Sequence, residues 1–244
     1  TQEMKQVAKD EDVDPEYIRR KISEGKVIIP VNRKRKATKF CGIGAGLKTK
    51  VNANIGTSPD YVNVEVELEK LKASVDAGAD AVMDLSTGGD LRAIRRKIIE
   101  SSSITVGSVP IYEAAVKAVK NKQTIVNMTA SDMLDAVRLH CEDGVDFITV
   151  HCGATKGVLK HLKENKRICG VVSRGGTFLV EWMIHSGQEN PLYEVFDEIL
   201  AIAKEYDVTL SLGDAMRPGA IADAFDRAPE YEIKELAELT QRAF

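Results

Sequence analysis

Aromatic residues are scarce in this chain, at 5% of 244 positions, and tryptophan occurs once. Ala, Val and Ile fill most of the 43% of positions that are hydrophobic. That mix suits the buried, Val/Ile-rich parallel strands of an α/β protein, and the length supports one large domain or two small ones. Cysteine is also sparse: Cys41, Cys141, Cys152 and Cys169 are scattered, and none stands in a C-x-x-C pair. Metal sites draw on ligands clustered on a loop or turn, so this spacing argues against zinc or iron–sulfur held by these four alone. It favours reduced, mostly buried thiols of a cytoplasmic protein. No apolar run approaches the roughly 20 residues that span a bilayer, so no membrane partner is expected. The chain opens at Thr1 rather than Met, as a trimmed sequence does, and shows no secretory h-region. Its net charge of -3 and pI near 5.9 announce no nucleic-acid face. The densest basic run, Arg33-Lys34-Arg35-Lys36, reads as a solvated surface loop.

What is present is strong periodicity. The first fifty residues read as a small N-terminal subdomain. Helices are predicted over Glu3–Ala8 and Pro15–Ser23, the second capped by Asp14, and a strand over Lys26–Pro30. From residue 51 to 244 strands and helices alternate. The strands are predicted at Val51–Ile55, Ala81–Leu85, Ile104–Val109, Asp146–Val150, Ile168–Val172 and Val208–Leu212. The helices are predicted at Val64–Ala77, Asp90–Ile99, Tyr112–Ala118, Ala130–Cys141, Lys156–Glu164, Thr177–Ile184, Pro191–Glu205 and Tyr231–Ala243. Such alternation implies parallel strands joined by helical crossovers. The phrases Asp76-Ala77-Gly78-Ala79-Asp80 and Glu142-Asp143-Gly144-Val145-Asp146 are alike: a glycine that can cap the helix left-handed, then an aspartate before the strand. Six units suffice for an open doubly wound sheet, but no G-x-G-x-x-G follows a first strand. Polar residues sit at the C-terminal end of nearly every strand. That distribution favours a (β/α)8 barrel of the TIM type, incomplete here at about six βα units.

Those strand ends hold the candidate chemistry. Asn52 and Asn54 share a face by their spacing of two. Ser86-Thr87-Gly88-Gly89 precedes a helix with Asp90 at its cap, a candidate phosphate turn. Tyr112 follows the third strand, and His151 ends the fourth beside Gly153. His140, His161 and His185 fall on helices and read as surface residues. Ser173-Arg174-Gly175-Gly176 offers a guanidinium fork, close backbone approach and a helix N-terminus, the best local anion cradle. Asp214 and Arg217 flank Ala215 and Met216 before a Pro-Gly turn; an ion pair that stiffens the loop is the alternative. No Ser-His-Asp set and no strand-end lysine suggest covalent catalysis. The residues alone lead to a site for a small, phosphorylated, nitrogen-rich molecule.

Several of these segments resemble the phosphomethylpyrimidine synthase (ThiC) family. They are Asn52-Ala53-Asn54-Ile55-Gly56-Thr57-Ser58, Met83-Asp84-Leu85-Ser86-Thr87-Gly88-Gly89-Asp90, Val109-Pro110-Ile111-Tyr112, Ser173-Arg174-Gly175-Gly176 and Gln188-Glu189-Asn190-Pro191-Leu192-Tyr193-Glu194. The resemblance runs the length of the chain. It implies a (β/α)8 barrel that rearranges aminoimidazole ribotide to hydroxymethylpyrimidine phosphate in thiamine biosynthesis. It also implies S-adenosylmethionine, a 4Fe–4S cluster, zinc and a homodimer. By resemblance, Asn54, Met83, Tyr112, His151, the Ser173-Arg174-Gly175 turn and the Asp214-Ala215-Met216-Arg217 loop contact substrate. The family's loop reads Asp-Gly-Leu-Arg, so Ala215 and Met216 depart from it. A paralogue that takes the same ribotide to 5-hydroxybenzimidazole for cobamides therefore stays open, as does a non-catalytic ribotide-binding module. The family's zinc histidines and its C-x-x-C-x-x-x-x-C cluster motif are absent from this sequence and are expected beyond Phe244. The chain by itself is accordingly expected not to turn over.

Overall fold

A computed structural model describes residues 1–35, 39–122, 124–164, 166–224 and 226–244. Two helices open the chain, α1 (Gln2–Glu11) and α2 (Pro15–Ser23). Asp14 accepts the Glu16 amide at 2.8 Å and Pro15 takes the first position of α2, where a missing N–H costs nothing. Val7, Ala8 and Ile18 form a small buried cluster, walled by partly buried neighbours that include Met4, Tyr17, Phe40 and Leu47. β1 (Val27–Ile28) pairs antiparallel with β2 (Ile43–Gly44).

Five further strands form one sheet in chain order: β3 (Asn52–Ile55), β4 (Ala81–Asp84), β5 (Thr105–Ser108), β6 (Phe147–Val150) and β7 (Thr209–Leu212). The pairs β3–β4, β4–β5 and β5–β6 are parallel. Parallel neighbours need crossovers, and helices supply them. They are α3 (Val64–Asp76), α4 (Leu91–Ser101), α5 (Pro110–Lys120), α6 (Ala130–Asp143), α7 (Lys156–Glu164), α8 (Arg174–Ser186), α9 (Pro191–Glu194) and α10 (Phe196–Tyr206); α11 (Arg227–Ala243) follows β7. The two similar helix-to-strand phrases behave alike. Gly78 (φ 88°) and Gly144 (φ 102°) both take left-handed backbone. The aspartates behind them cap the sheet: Asp80 accepts the Val51 amide at 2.7 Å, and Asp146 the Val106 amide at 2.8 Å.

Four expectations need correction. The segment Ile168–Val172 is not a strand. The amides of Ile168 and Cys169 donate to the Asp223 carboxylate (2.9 and 3.1 Å) instead of a ladder, Gly170 is left-handed, and Ile168 is 75% exposed. The predicted helix Pro191–Glu205 is two helices, broken at Val195. The basic run is not a solvated loop at Arg35, whose side chain is 4% exposed. Arg35 pairs with Asp146 at 3.2 Å and donates to the carbonyls of Ile99, Ser102 (2.9 Å) and Ile104 (2.8 Å). Carbonyls at the end of α4 lack helical partners, and the guanidinium meets them. Lys36 of that run lies outside the described residues. His140 is buried, not superficial: Nδ1 lies 2.7 Å from Ser108 Oγ and Nε2 2.9 Å from Arg95 Nη1.

The chain divides into two compact units. The first comprises Thr1–Ser108, His140–Ile148 and Lys204–Thr209; the second comprises Val109–Leu139, Thr149–Ala203 and Leu210–Phe244. In the first, Val82, Val106 and Ile148 are fully buried, and the same sheet face carries Asp84 and Ser108. A charged knot closes it. Asp143, on the last turn of α6, is inaccessible and takes hydrogen bonds from Arg92 (2.9 Å), Arg95 (2.7 Å) and Arg96 (2.8 Å). Burial alone would raise the Asp143 pKa; the guanidinium bonds outweigh it and hold the carboxyl below its ordinary range. In the second unit Leu179, Phe196 and Ile199 are fully buried, and the Trp182 indole donates to the Met128 carbonyl at 2.8 Å.

Candidate functional site

In the first unit, the β3 and β4 ends are built as the alternation predicts. Asn52 and Asn54 share the exposed face of β3, and Asn54 stands in register with Met83, which is in register with Gly107. Gly107 is a glycine of necessity: a β-carbon there would lie 2.1 Å from Cζ of Phe147. The loop after β3 is held from behind. Glu67 of α3, 1% exposed, accepts the Gly56 amide at 2.7 Å. The turn Ser86-Thr87-Gly88-Gly89 is less of an anion site than its composition suggests. The Ser86 amide donates to Asp84 (3.0 Å) and the Thr87 amide to the Thr57 carbonyl (2.9 Å), and Asp90 caps α4 with its own side chain. Burial pushes the Asp84 carboxyl up, against the bonds from Ser86.

The second unit brings most of the remaining candidates together. His151 follows β6, and its ring is wedged between glycine backbones. A β-carbon at Gly175 would lie 2.5 Å from the ring's Cε1 and Nδ1, and one at Gly213 2.9 Å from Cδ2. These contacts place the first turn of α8 on one edge of the imidazole and the end of β7 on the other. Burial, helped by the Arg217 charge, lowers the His151 pKa to about 4, so the ring is neutral near pH 7. Nδ1 is buried and has no hydrogen-bond partner among the described residues. Asn190, fully buried at the start of α9, donates to the His151 carbonyl at 2.9 Å and fixes the backbone that carries the ring.

Around this ring stand the charged candidates. Ser173 caps α8, accepting the Gly176 amide at 3.2 Å. Arg174, exposed, makes no ion pair among the described residues; its guanidinium lies 5.0 Å above the Tyr112 ring centroid. Burial raises the Tyr112 pKa, against the charges of Arg174 and Arg217. Asp214 and Arg217 do form the ion pair that stood as the alternative to a ligand role, at 3.6 Å and largely exposed. An exposed pair at that distance is worth little and opens readily to a ligand. Ala215 and Met216 are both wholly buried, so their extra bulk packs inward. Ala215 lies beneath α8: a β-carbon at Gly176 would sit 2.8 Å from its methyl.

Sequence reasoning missed the residues that hold these loops. Glu232 accepts the amides of Ala215 and Met216, and Arg167 donates to the Met216 carbonyl. Glu232 had a readable signal. It lies four residues after Ala228 and seven before Leu239, on the buried stripe of α11 where a carboxylate is out of place.

The family that this geometry serves follows from comparison with known proteins. A model of the radical SAM ThiC family matches residues 1–244. The chain belongs to that family. Curated relatives agree. It is 54% identical over 243 residues to a phosphomethylpyrimidine synthase of Desulforamulus reducens, and 53% to one of Moorella thermoacetica, covering all of this chain and 56% of each relative. A phosphomethylpyrimidine synthase of Methanopyrus kandleri is 50% identical over 98% of this chain and 56% of its own length. The chain thus spans about half the length of these relatives.

Radical SAM proteins in general use S-adenosylmethionine and a 4Fe–4S cluster. The ThiC-family residues described here do not fit a cluster or a zinc ion. Among the described residues no three His, Cys, Asp or Glu side chains come together as a metal site. Cys41, Cys141 and Cys152 are buried; burial lifts the Cys41 thiol to about 11 and Cys152 higher still, far from a thiolate ligand. No helix among the described residues is long and apolar enough to cross a membrane.

Proposed function

We propose that this chain supplies the ribotide-binding part of a phosphomethylpyrimidine synthase. The whole enzyme would rearrange aminoimidazole ribotide to hydroxymethylpyrimidine phosphate in thiamine biosynthesis. Its sheet and helices would form most of a (β/α)8 barrel on residues 51–244, behind an N-terminal subdomain on residues 1–50. S-adenosylmethionine, a 4Fe–4S cluster and zinc would serve the whole enzyme, which we take to be a cytoplasmic homodimer. When bound, the first two supply the radical chemistry.

The observation that carries this reading is the buried imidazole of His151 against the first turn of α8, with Nδ1 unpaired among the described residues. Arg174 presents guanidinium donors to a phosphate at the start of α8, where the helix dipole favours the negative charge. His151, uncharged, can hydrogen-bond the nitrogen-rich ring without repelling it or competing for its protons. Asp214 and Arg217 can exchange their weak mutual pairing for ligand contacts.

Calorimetric titration of this chain with aminoimidazole ribotide tests the reading. Micromolar binding is expected. Arg174→Met should weaken it by about tenfold or more, the worth of a charge-assisted pair. Absence of binding, or indifference to that substitution, would refute it.

A second reading, conversion of the same ribotide to 5-hydroxybenzimidazole, is favoured by one observation. Ala215, which departs from the family's glycine, packs under the first turn of α8. Mass spectrometry of the product made by the full-length enzyme separates the two.

A further inference from the structure

We propose that Glu232 is a positioning residue that sets the conformation of the Asp214–Arg217 loop for its ligand. The geometry is specific. Glu232 sits on α11 and is 1% exposed. One carboxylate oxygen accepts the Ala215 amide and the other the Met216 amide, each at 2.8 Å. Two successive peptide planes are thereby fixed. The Met216 carbonyl is fixed from another side: Arg167 Nη2 donates to it at 2.6 Å and to Asp226 Oδ1 at 3.0 Å. Asp226 is the N-cap of α11. One helix therefore carries the loop's acceptor and anchors its donor. The same helix packs against the turn after His151, since a β-carbon at Gly153 would meet Leu236 and Glu232 at 2.6 and 3.0 Å.

The chemistry makes the choice of a carboxylate informative. A buried acid on an apolar helix stripe is costly, and a well-packed apolar residue would serve stability better. An ionised carboxylate accepts from two neighbouring amides through separate oxygens more strongly than a protonated one does. Burial raises the Glu232 pKa to about 7; of the charges facing it, Asp214 pushes the same way and Arg167 opposes, as do the two amide bonds. Near neutrality the clamp is therefore partly protonated. It is complete only above that range. The side chains so positioned, Asp214 and Arg217, are exposed and pair only weakly with each other. Without the clamp the Ala215 and Met216 amides would lose their shared anchor, leaving the Arg167 bond to the Met216 carbonyl to hold the turn.

The ligand arm of this proposal rests on the ribotide reading; the geometric arm does not. The test compares the chain with Glu232→Gln, which keeps the shape but turns an NH2 toward one amide. Glu235→Gln, three residues after the clamp on the same helix, is the control. Amide hydrogen exchange is followed by NMR. In the unaltered chain the Ala215 and Met216 amides should be protected; in Glu232→Gln at least one should exchange tenfold or more faster, and Glu235→Gln should change neither. Equal protection in all three overturns the proposal. Affinity for aminoimidazole ribotide should fall about tenfold in Glu232→Gln at pH 8. As pH drops from 8 to 6 it should fall more steeply in the unaltered chain than in the variant, the titration of the ligand's own phosphate at about pH 6 being common to both. Released amides with unchanged affinity and pH profile would overturn the positioning role. If no chain binds the ribotide, the ribotide reading fails and the exchange result still decides the clamp.

Discussion

The backbone of Gly175 and the imidazole of His151 are in contact, with room for no atom between them: a β-carbon at position 175 would lie 2.5 Å from the ring. The ring cannot simply slide away, because Gly213 bounds its other edge. Gly175→Ala should therefore destabilise the fold by about 1–3 kcal/mol, the usual cost of forcing an added carbon into close packing. Alanine is otherwise the better helix former by up to about 1 kcal/mol, so intrinsic propensity works against this outcome. Urea unfolding of the variant measures it, and unchanged stability would show that the contact is soft.

A second expectation concerns acid. The His151 pKa lies near 4 in the fold, well below that of an unfolded histidine, because burial disfavours the cation. The unfolded chain therefore takes up its proton first as pH falls. The neutral ring's contribution is complete above about 6.5 and is lost progressively down to about 4. A gap of that width amounts to roughly 3 kcal/mol. His151→Gln should flatten this part of the stability profile between pH 7 and 4. An NMR titration of His151 showing protonation near pH 6.5 would contradict the argument.

The charged knot gives a third. Asp143 is inaccessible and Arg95 nearly so, at 2% of its side chain. Asp143→Ala would leave the Arg95 guanidinium buried without its carboxylate, facing His140. Breaking a buried pair from one side costs about 3–5 kcal/mol. Thermal unfolding should show a correspondingly large drop in Tm, whereas Lys72→Met, which removes a surface pair with Asp76, should change little. Similar small effects for both variants would mean that the knot contributes nothing.

Much of the fold was legible because its signals are local. Helix periodicity placed α2 and α7 at their observed bounds, and Asp14, Asp90 and Ser173 cap helices as their residue types suggest. The false strand at Ile168–Val172 shows the limit of such signals. Its apolar residues read as a strand, but Asp223, some fifty residues later, claims its amides. His140 and Arg35 were misjudged for the same reason, since each is buried by partners distant in sequence. Within the candidate site, the cradle before α8 was readable from Arg beside paired glycines. The supports were not: Glu232 and Arg167 act through backbone groups, which leave no residue pattern beyond a charge on a buried stripe.

The most direct test of the central claim is an NMR titration of the isotope-labelled chain with aminoimidazole ribotide. The account predicts that the Gly175 and Gly176 amides and the His151 ring nitrogens shift together and saturate at one affinity, with inorganic phosphate moving only the amides. Ribotide binding that leaves both the α8 amides and the His151 ring unmoved would contradict it.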